Sequence, residues 1–397
     1  MTELENCLID SDTRKKIINR SRFFLGSVFL LILMGLYALA SVSLAGKSFI
    51  FQQLIFYGVS IFSAFCVVLL GYKKLFKLTP YFICIMILLL LGVFLFEKKN
   101  GAFRWIKIPF THFKIQPSEL LKFVIVIVMS QLAYTKSSLI KSINNFKEFW
   151  LFFRKHLIMP SIMILLVLCG RDLGTTLLLT SYVIYIMWVA GLKLKFFITL
   201  VILLVFSATI YVWSSPPRLQ RMVSYWERLC GIDDGVNNEQ LEMSLKALGS
   251  GGLKGVGVFE GKVKNKIPEK STDFILATIG EELGFIGAVA VAALYLSFFI
   301  FGNELALLIP SERGRLLILG YVYIIVIQSF INIGVVYGSL PTKGMPAALL
   351  SKGGSNLLFC ISAVGVIISV SLDALNSNYN KGFFSRIKSS VPFMTRS

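Results

Sequence analysis

The chain has 397 residues, of which 56% are hydrophobic and only 15% are charged. A water-soluble domain builds its core with far fewer apolar residues, so the composition predicts a polytopic membrane protein. The formal net charge of +19 is compatible with nucleic-acid binding, but basic residues beside membrane spans are explained by cytoplasmic topology and anionic lipid headgroups. We therefore expect membrane lipids, and not nucleic acid, among the partners.

Apolar runs of about 18 residues or more predict about ten transmembrane helices. In chain order they lie near residues 21–45, 49–71, 79–96, 116–134, 156–170, 173–191, 195–213, 274–301, 314–338 and 347–372. The longest connection, residues 214–273, falls between helices 7 and 8. The predicted fold class is therefore an all-α integral membrane protein with one long loop.

The spans divide the chain into an N-terminal tail (1–20), a transmembrane domain (21–372) and a C-terminal tail (373–397). The first span exceeds the ~7–15 apolar residues of a secretory signal, which indicates a retained anchor. Lys and Arg concentrate in both tails and in alternate connections, so the positive-inside rule predicts cytoplasmic termini and an extracytoplasmic 214–273 loop. None of the six cysteines and two histidines is spaced for a metal site. No metal ligand is predicted.

Two segments predicted on the outer face break the usual pattern. Residues 97–114 carry five basic residues against one acid, although positive charge outside runs against the insertion bias. An anionic ligand such as a phosphate would explain it, and attraction to anionic lipid is the alternative. The 214–273 loop is long enough to suggest a functional or disordered segment. Within it, residues 237–257 predict a short amphipathic helix at the membrane surface, followed by glycine turns.

Ionisable residues inside or beside the spans are costly in lipid and mark candidate sites. Glu119 and Lys122 lie three residues apart on one helix face, where they can pair; a structural and a functional pair fit the pattern equally well. Asp172 begins the sixth span, and its spacing favours a helix cap over catalysis. Lys343 lies on a turn between helices, from which an ammonium group can reach the outer face.

Asp273 ends the long loop where the eighth span begins, so a helix N-cap and a catalytic carboxylate are alternatives. Glu281 lies eight residues further on, about 12 Å along a helix, which exceeds the ~5–9.5 Å between the carboxylates of glycosidase pairs. A two-carboxylate glycosidase is therefore disfavoured. We expect Glu281 and Glu282 to orient helices and Asp273 to be free for chemistry.

Seven motifs together resemble the SEDS family of shape, elongation, division and sporulation proteins, from the first span to Gly354. They are GAFRWI (101–106), IQPSELLK (115–122), DLGTT (172–176), PPRLQRMVSYW (216–226), STDFILATIGEELGFIGA (271–288), QSFINIGV (328–335) and LPTKG (340–344). Each is weak alone, but their order and spacing make the set specific. LPTKG resembles the division branch, FtsW, more than the elongation branch.

The resemblance implies ten transmembrane helices and a glycosyltransferase of the bacterial inner membrane that polymerises lipid II into glycan strands at the division site. It also implies a class B penicillin-binding protein and other divisome membrane proteins as partners. Asp273 matches the family's catalytic aspartate. The substrate-binding candidates match the family's RW motif, the polar pair of its central cavity and its LPTKG lysine: Arg104, Trp105, Glu119, Lys122 and Lys343.

The chain departs from the family pattern close to these motifs. Ser271 replaces a histidine, Gly170 and Arg171 replace Gln-Pro, and Lys352 replaces a tyrosine. Ala348 stands where the family has a proline. All of these changes leave the aspartate in place, so we expect them to alter the substrate fit.

The implied reaction is attack by the GlcNAc 4-hydroxyl of one lipid II on the MurNAc C1 of a growing chain, with lipid pyrophosphate leaving. Asp273 is the expected general base. Arg104 and Lys343, alone or with a divalent cation such as Mg²⁺ or Mn²⁺, would balance the pyrophosphate charge. An α-linked donor and a β-linked product require inversion. A lipid II flippase or transporter and a non-catalytic divisome scaffold are the alternatives.

Overall fold

A computed structural model of the chain describes residues 11–43, 48–97, 101–107, 114–230 and 239–390. The predicted basic segment 97–114 therefore lies partly outside the described residues. Among its described residues, β1 (Ile106–Lys107) pairs antiparallel with β2 (Lys114–Ile115). Everything else of regular structure in the described ranges is helical.

Most helices follow one another with short connections; the longer ones lie between α3 and α4, before α12, and between α13 and α14. They are α1 Ser11–Ser43, α2 Ser48–Leu70, α3 Tyr72–Gly92, α4 Pro117–Thr135, α5 Ser137–Ser142, α6 Phe146–Phe152, α7 Ile158–Cys169, α8 Leu173–Val189, α9 Leu194–Trp213, α10 Pro216–Leu229, α11 Glu239–Gly251, α12 Ile275–Leu308, α13 Glu312–Val336 and α14 Gly354–Ser390. A π-helical turn, Phe153–Leu157, joins α6 to α7.

In the described part of the chain, nine helical segments are long and apolar enough to cross a membrane, with α6 and α7 counting as one. The shorter apolar helix α8 occupies the remaining predicted span. The predicted all-α, multi-pass fold is confirmed. The last span begins later than predicted, since residues 347–353 form turns that lead into α14.

Burial separates central helices from peripheral ones. In α4, α13 and α14 most of the apolar stretch is buried, whereas α9 buries only Phe196. A helix that is apolar on all sides and exposed in the protein is suited to contact lipid. The three central helices therefore provide the frame on which the candidate site is built.

The helix α12 is interrupted at Gly284, whose φ of 65° is outside the helical range. Residues 252–257 fill the interruption with their backbone. The amide of Val256 donates to the carbonyl of Glu281 at 3.0 Å, and the amide of Phe285 donates to the carbonyl of Gly252 at 2.9 Å. Backbone groups freed by a helix break must find such partners when water is excluded.

The predicted amphipathic helix in the long loop is present as α11, but its buried face packs on the bundle and not on the membrane surface. The Ser244 hydroxyl donates to the carbonyl of Val336, in α13, at 3.0 Å. At Gly251, an added Cβ would lie 2.9 Å from the carbonyl oxygen of Glu281. The absence of a side chain at this position therefore allows α11 to approach α12 closely.

Glu281 holds the end of the long loop against α12. Its carboxylate accepts hydrogen bonds from three consecutive backbone amides, those of residues 262–264, at 2.7, 2.8 and 2.7 Å. Hydrogen bonds between a carboxylate and backbone amides are among the stronger kinds in proteins. The loop is thereby fixed only a few residues before the candidate site.

Glu282 connects α12 to α1 and to the same loop. It accepts hydrogen bonds from Tyr37 at 2.6 Å and Ser41 at 2.5 Å, and it forms a buried ion pair with Lys264. Glu282 therefore connects two helices, as expected, whereas Glu281 holds the loop and not a second helix. The charge of Glu282 is balanced by Lys264, and the carboxylate oxygens of Glu281 accept backbone hydrogen bonds, so neither buried group lacks a partner.

Candidate functional site

Four connections meet at one end of the helix bundle. The segment 101–107 reaches the turn between α7 and α8, where the amide of Phe103 donates to the carbonyl of Gly170 at 3.1 Å. The segment before α12 meets the α13–α14 connection, where the amide of Lys352 donates to the carbonyl of Ser271 at 2.8 Å. The motifs singled out in the sequence therefore converge in space.

Asp273 lies in a tight turn immediately before α12. The amides of Thr272 and Asp273 donate to the carbonyl of Glu269 at 3.1 and 3.2 Å. The N-cap of α12 is Phe274, and no side-chain hydrogen bond caps this helix. The alternative in which Asp273 serves as an N-cap is therefore wrong. Among the described residues, no hydrogen bond reaches its carboxylate.

The Asp273 carboxylate lies against the glycine of LPTKG. Its Oδ2 would be 2.6 Å from a Cβ added to Gly344, so a side chain at that position would displace it. Burial raises the pKa of Asp273 to about 7; the Glu269 carboxylate adds to the rise, Arg104 opposes it, and Glu119 adds a smaller part. A carboxylate with such a pKa is suited to accept a proton near neutral pH.

Lys343 extends across the first turn of α8. Its Nζ would lie 2.8 Å from a Cβ added to Gly174, so the absence of a side chain there allows the lysine to pass. Burial lowers the pKa of Lys343 to about 8; the Asp172 carboxylate opposes the fall, and Arg104 and Arg218 add to it. Lys343 therefore lies in a group of basic residues around one acid.

Asp172 caps α8, as the sequence favoured. Its carboxylate accepts hydrogen bonds from the Thr175 amide at 3.4 Å and from the Thr175 hydroxyl at 2.9 Å. It also accepts from Ser118 at 3.0 Å and from Gln116 at 3.2 Å. These two residues flank Pro117, the first residue of α4, so one carboxylate fixes the starts of two helices.

Arg104 lies across the turn between α7 and α8, of which Asp172 is the last residue. Its Nη2 donates to the carbonyl of Arg171 at 2.7 Å and lies 4.0 Å from the Asp172 carboxylate. Its Nε is buried and has no hydrogen-bond partner in the described part of the chain. Trp105 is partly buried beside it and makes no hydrogen bond or ring contact with other described residues. The structure places Arg104, but not Trp105, in the electrostatic environment of Asp273.

Glu119 and Lys122 form the ion pair that their spacing predicted, with 2.7 Å between Oε1 and Nζ and both side chains almost fully buried. Lys122 also donates to Gln328 at 2.7 Å. Gln328 in turn donates to the carbonyl of Pro346 at 2.8 Å and to Asn356 at 3.0 Å. The pair therefore belongs to a network that joins α4, α13, α14 and the α13–α14 connection.

Several residues of this site were not among the sequence candidates. Arg218 contributes to the basic environment of Lys343, and Gly174 and Gly344 leave room for the two charged side chains. The glycines lie inside the motifs DLGTT and LPTKG. Their position in these motifs was the sequence signal that could have identified them. Nothing in the sequence indicates which side chain each glycine accommodates.

A divalent cation such as Mg²⁺ or Mn²⁺ stays a prediction. The described residues contain no group of three or more His, Cys, Asp or Glu side chains that could hold a metal ion. A Mg²⁺ ion that is shared with substrate phosphates needs only one or two protein carboxylates.

Residues 17–375 match the sequence profile of a family described as cell cycle protein and labelled by FtsW, RodA and SpoVE. The chain is 36% identical over 276 residues to the probable peptidoglycan glycosyltransferase FtsW of Geobacter metallireducens, covering 68% of this chain and 70% of that protein. It is 32% identical over 335 residues to stage V sporulation protein E of Bacillus subtilis, covering 81% and 86%.

The fold is similar to solved structures. A chain of a peptidoglycan synthase complex superimposes with a TM-score of 0.71 at 22% identity, covering 88% of this chain and 97% of that one. The rod shape determining protein RodA of Thermus thermophilus gives a TM-score of 0.64 at 24% identity, covering 88% and 96%. At such low identity the similarity demonstrates the fold alone.

Proposed function

Since this chain belongs to the cell cycle protein family of FtsW, RodA and SpoVE, we propose that it is a peptidoglycan glycosyltransferase that polymerises lipid II. The name of the Geobacter relative supports the activity. One observation carries the assignment of chemistry. It is the Asp273 carboxylate, unbonded among the described residues, with a raised pKa, in the electrostatic field of Arg104.

The reaction needs a base for the attacking hydroxyl and positive charge for the leaving group. Asp273 accepts the proton of the GlcNAc 4-hydroxyl as this oxygen attacks the MurNAc C1. Lys343 and Arg104 balance the negative charge of the departing lipid pyrophosphate. One displacement inverts the anomeric centre, so no covalent enzyme intermediate is required.

The remaining predicted substrate contacts have supporting roles in this proposal. Glu119 and Lys122 connect to the α13–α14 connection through Gln328 and Pro346, so they hold the segment that carries Lys343. Trp105 follows Arg104 and offers an aromatic face to a sugar or lipid. The departures at Ser271, Arg171 and Lys352 lie around the same site and alter the substrate fit.

We place the protein in the bacterial inner membrane, at the division site, with both termini cytoplasmic and the Asp273 end facing outwards. The basic tails and connections support this orientation. The sequence contains no SxxK motif followed by KTG, the signature of a transpeptidase. We propose that a class B penicillin-binding protein supplies cross-linking, together with other divisome membrane proteins.

The activity can be tested with purified protein in liposomes that contain lipid II, with and without its cognate class B penicillin-binding protein. We expect glycan polymer, detected by gel separation of labelled product. Transfer of labelled lipid II across the bilayer without polymer would support the flippase. The absence of both activities, with an intact complex, would support the scaffold.

The rate of polymerisation is expected to depend on pH as a bell-shaped curve. Activity rises as Asp273, with its pKa of about 7, loses its proton, and it falls as Lys343, with its pKa of about 8, loses its charge. Glu269→Gln removes a negative neighbour of Asp273, so its acidic limb should move to lower pH. Lys343→Arg should move only the alkaline limb, to higher pH, because arginine stays protonated. The assay is the initial rate across pH; a flat profile contradicts both assignments.

Gly174→Ala is expected to lower the polymerisation rate by about 10- to 100-fold, since a misplacement of about 1 Å can have this effect. The added methyl group would occupy the path of the Lys343 side chain. Gly26→Ala is the matched control, because a Cβ there meets nothing within 4 Å. Initial rates and thermal unfolding are measured for both variants. A wild-type rate for Gly174→Ala would remove Lys343 from the proposed mechanism.

A further inference from the structure

The backbone carbonyls of residues 271–273 each accept a hydrogen bond. The donors lie in α13 and in the α13–α14 connection. The carbonyl of Ser271 accepts from the Lys352 amide at 2.8 Å. The carbonyl of Thr272 accepts from the Ser351 hydroxyl at 2.5 Å, and that of Asp273 accepts from the Asn332 amide group at 2.7 Å. We call these three donors the carbonyl clamp.

Each side chain of the clamp makes a second bond on the opposite side. Asn332 also donates to the carbonyl of Met345 at 2.7 Å, and the Ser351 hydroxyl accepts from the amide of Ala347 at 2.9 Å. Both side chains are nearly fully buried. Asn332 and Ser351 therefore bridge the segment before α12 and the α13–α14 connection, in which Lys343 lies two residues before Met345.

The clamp holds the carbonyl side of a backbone whose amides, at Thr272 and Asp273, are held by the turn to Glu269. The Asp273 carboxylate accepts no hydrogen bond from the described residues, and the turn before it begins at Glu269, an exposed residue with a φ of 53°. Left-handed backbone at a residue other than glycine is unfavourable and persists where surrounding contacts impose it. The direction of the Asp273 side chain is thus set by backbone bonds, from the clamp and from the turn to Glu269.

We propose that Asn332 and Ser351 are positioning residues that set the separation between the Asp273 carboxylate and the Lys343 ammonium group. This inference rests on the proposed glycosyltransferase function, in which these two groups act at opposite ends of one displacement. Neither clamp side chain contacts the reacting atoms. Their contribution is to hold the base and the cation in one unit, as a preorganised site requires.

Asn332→Ala and Ser351→Ala are expected to lower kcat for polymerisation by about 10- to 100-fold, because the reacting groups are misplaced. KM should change by less than about threefold, because the contacts that bind the substrate persist. Ser351→Thr keeps the hydroxyl and should restore most of the rate. Ser371→Ala and Asn303→Ala are the matched controls, because these side chains donate to carbonyls of their own helices. Both controls should keep the wild-type kcat.

Hydrogen–deuterium exchange tests the clamp without relying on activity. In Asn332→Ala and Ser351→Ala, amides of residues 272–276 should exchange faster than in the wild type and the controls. Unchanged exchange, or wild-type kcat in both variants, overturns the inference. The inference is also overturned if Ser351→Thr fails to restore kcat and the variants unfold generally. That result would indicate a structural role. A wild-type protein that makes no polymer, but shows the local change in exchange, contradicts the proposed function and leaves the clamp supported.

Discussion

Asp273→Asn is expected to lower the rate of glycan synthesis by roughly 10²–10⁴-fold, the contribution typical of a general base, while lipid II binding survives. The amide keeps the size of the carboxylate and fits beside Gly344, but it accepts no proton. Initial rates with lipid II in liposomes are compared with a binding assay for the same lipid. Near-normal polymerisation would remove the assignment of Asp273 as the general base.

The same substitution is expected to stabilise the protein at alkaline pH. Because burial raises the pKa of Asp273 to about 7 from an ordinary value of 3.8, the folded state holds the proton more tightly than the unfolded chain. This contribution to stability is complete below pH 3.8 and is lost as the pH rises through about 7. Asp273→Asn should therefore unfold at a higher temperature than the wild type at pH 8, with a smaller difference at pH 5.

Glu260→Gln provides the control for both measurements, since Glu260 is an exposed acid of the same loop. It should change neither the rate nor the pH dependence of unfolding. A variant at Asp273 that is inactive and less stable at every pH would indicate a structural carboxylate. The combination of lost activity and gained stability is specific to a buried base.

Lys122→Met is expected to lower the free energy of unfolding by about 3–5 kcal/mol, because it leaves the buried Glu119 carboxylate without its cation. The Glu119 Oε2 atom already has no partner among the described residues, so the pair with Lys122 is its principal compensation. Glu119→Gln together with Lys122→Met should recover part of the loss. The two single changes should therefore be non-additive in a double-mutant cycle.

Glu242 and Lys246 form the control pair for this cycle. Their charged groups lie 2.5 Å apart, but both side chains are more than half exposed. Exposed pairs contribute about 0–1 kcal/mol, so Lys246→Met should have little effect. Unfolding in detergent, followed by circular dichroism, gives both cycles. Additive effects of Glu119→Gln and Lys122→Met would mean that the two charges do not stabilise each other.

Local sequence patterns were sufficient to predict part of this architecture. Hydrophobic runs located the nine membrane-crossing helical segments of the described residues and the shorter apolar helix α8, since length and hydropathy are properties of a continuous segment. The pairing of Glu119 with Lys122 follows from helical spacing, and the cap at Asp172 follows from its position before an apolar run. Each of these predictions depends only on residues within one continuous segment of the chain.

The rest depended on contacts between distant parts of the chain. One partner of Glu282 is Tyr37 in α1, which lies 245 residues earlier in the chain. Residues 252–257, which follow α11, bond to the interruption of α12 at Gly284, which a hydropathy scan cannot detect. The bond from Asn332 to the Asp273 carbonyl joins residues 59 positions apart. Spacing rules describe single elements, and these contacts arise only when elements assemble.

The interruption of α12 has a consequence for the order in which the protein is made. Charged residues inside a span are costly in lipid, and α12 carries Glu281 and Glu282 in its first turns. Their partners, in α1 and at residues 262–264, all precede them in the chain. The same holds for residues 252–257, which fill the gap at Gly284. The ribosome therefore synthesises the partners of Glu281 and Glu282 before it synthesises α12.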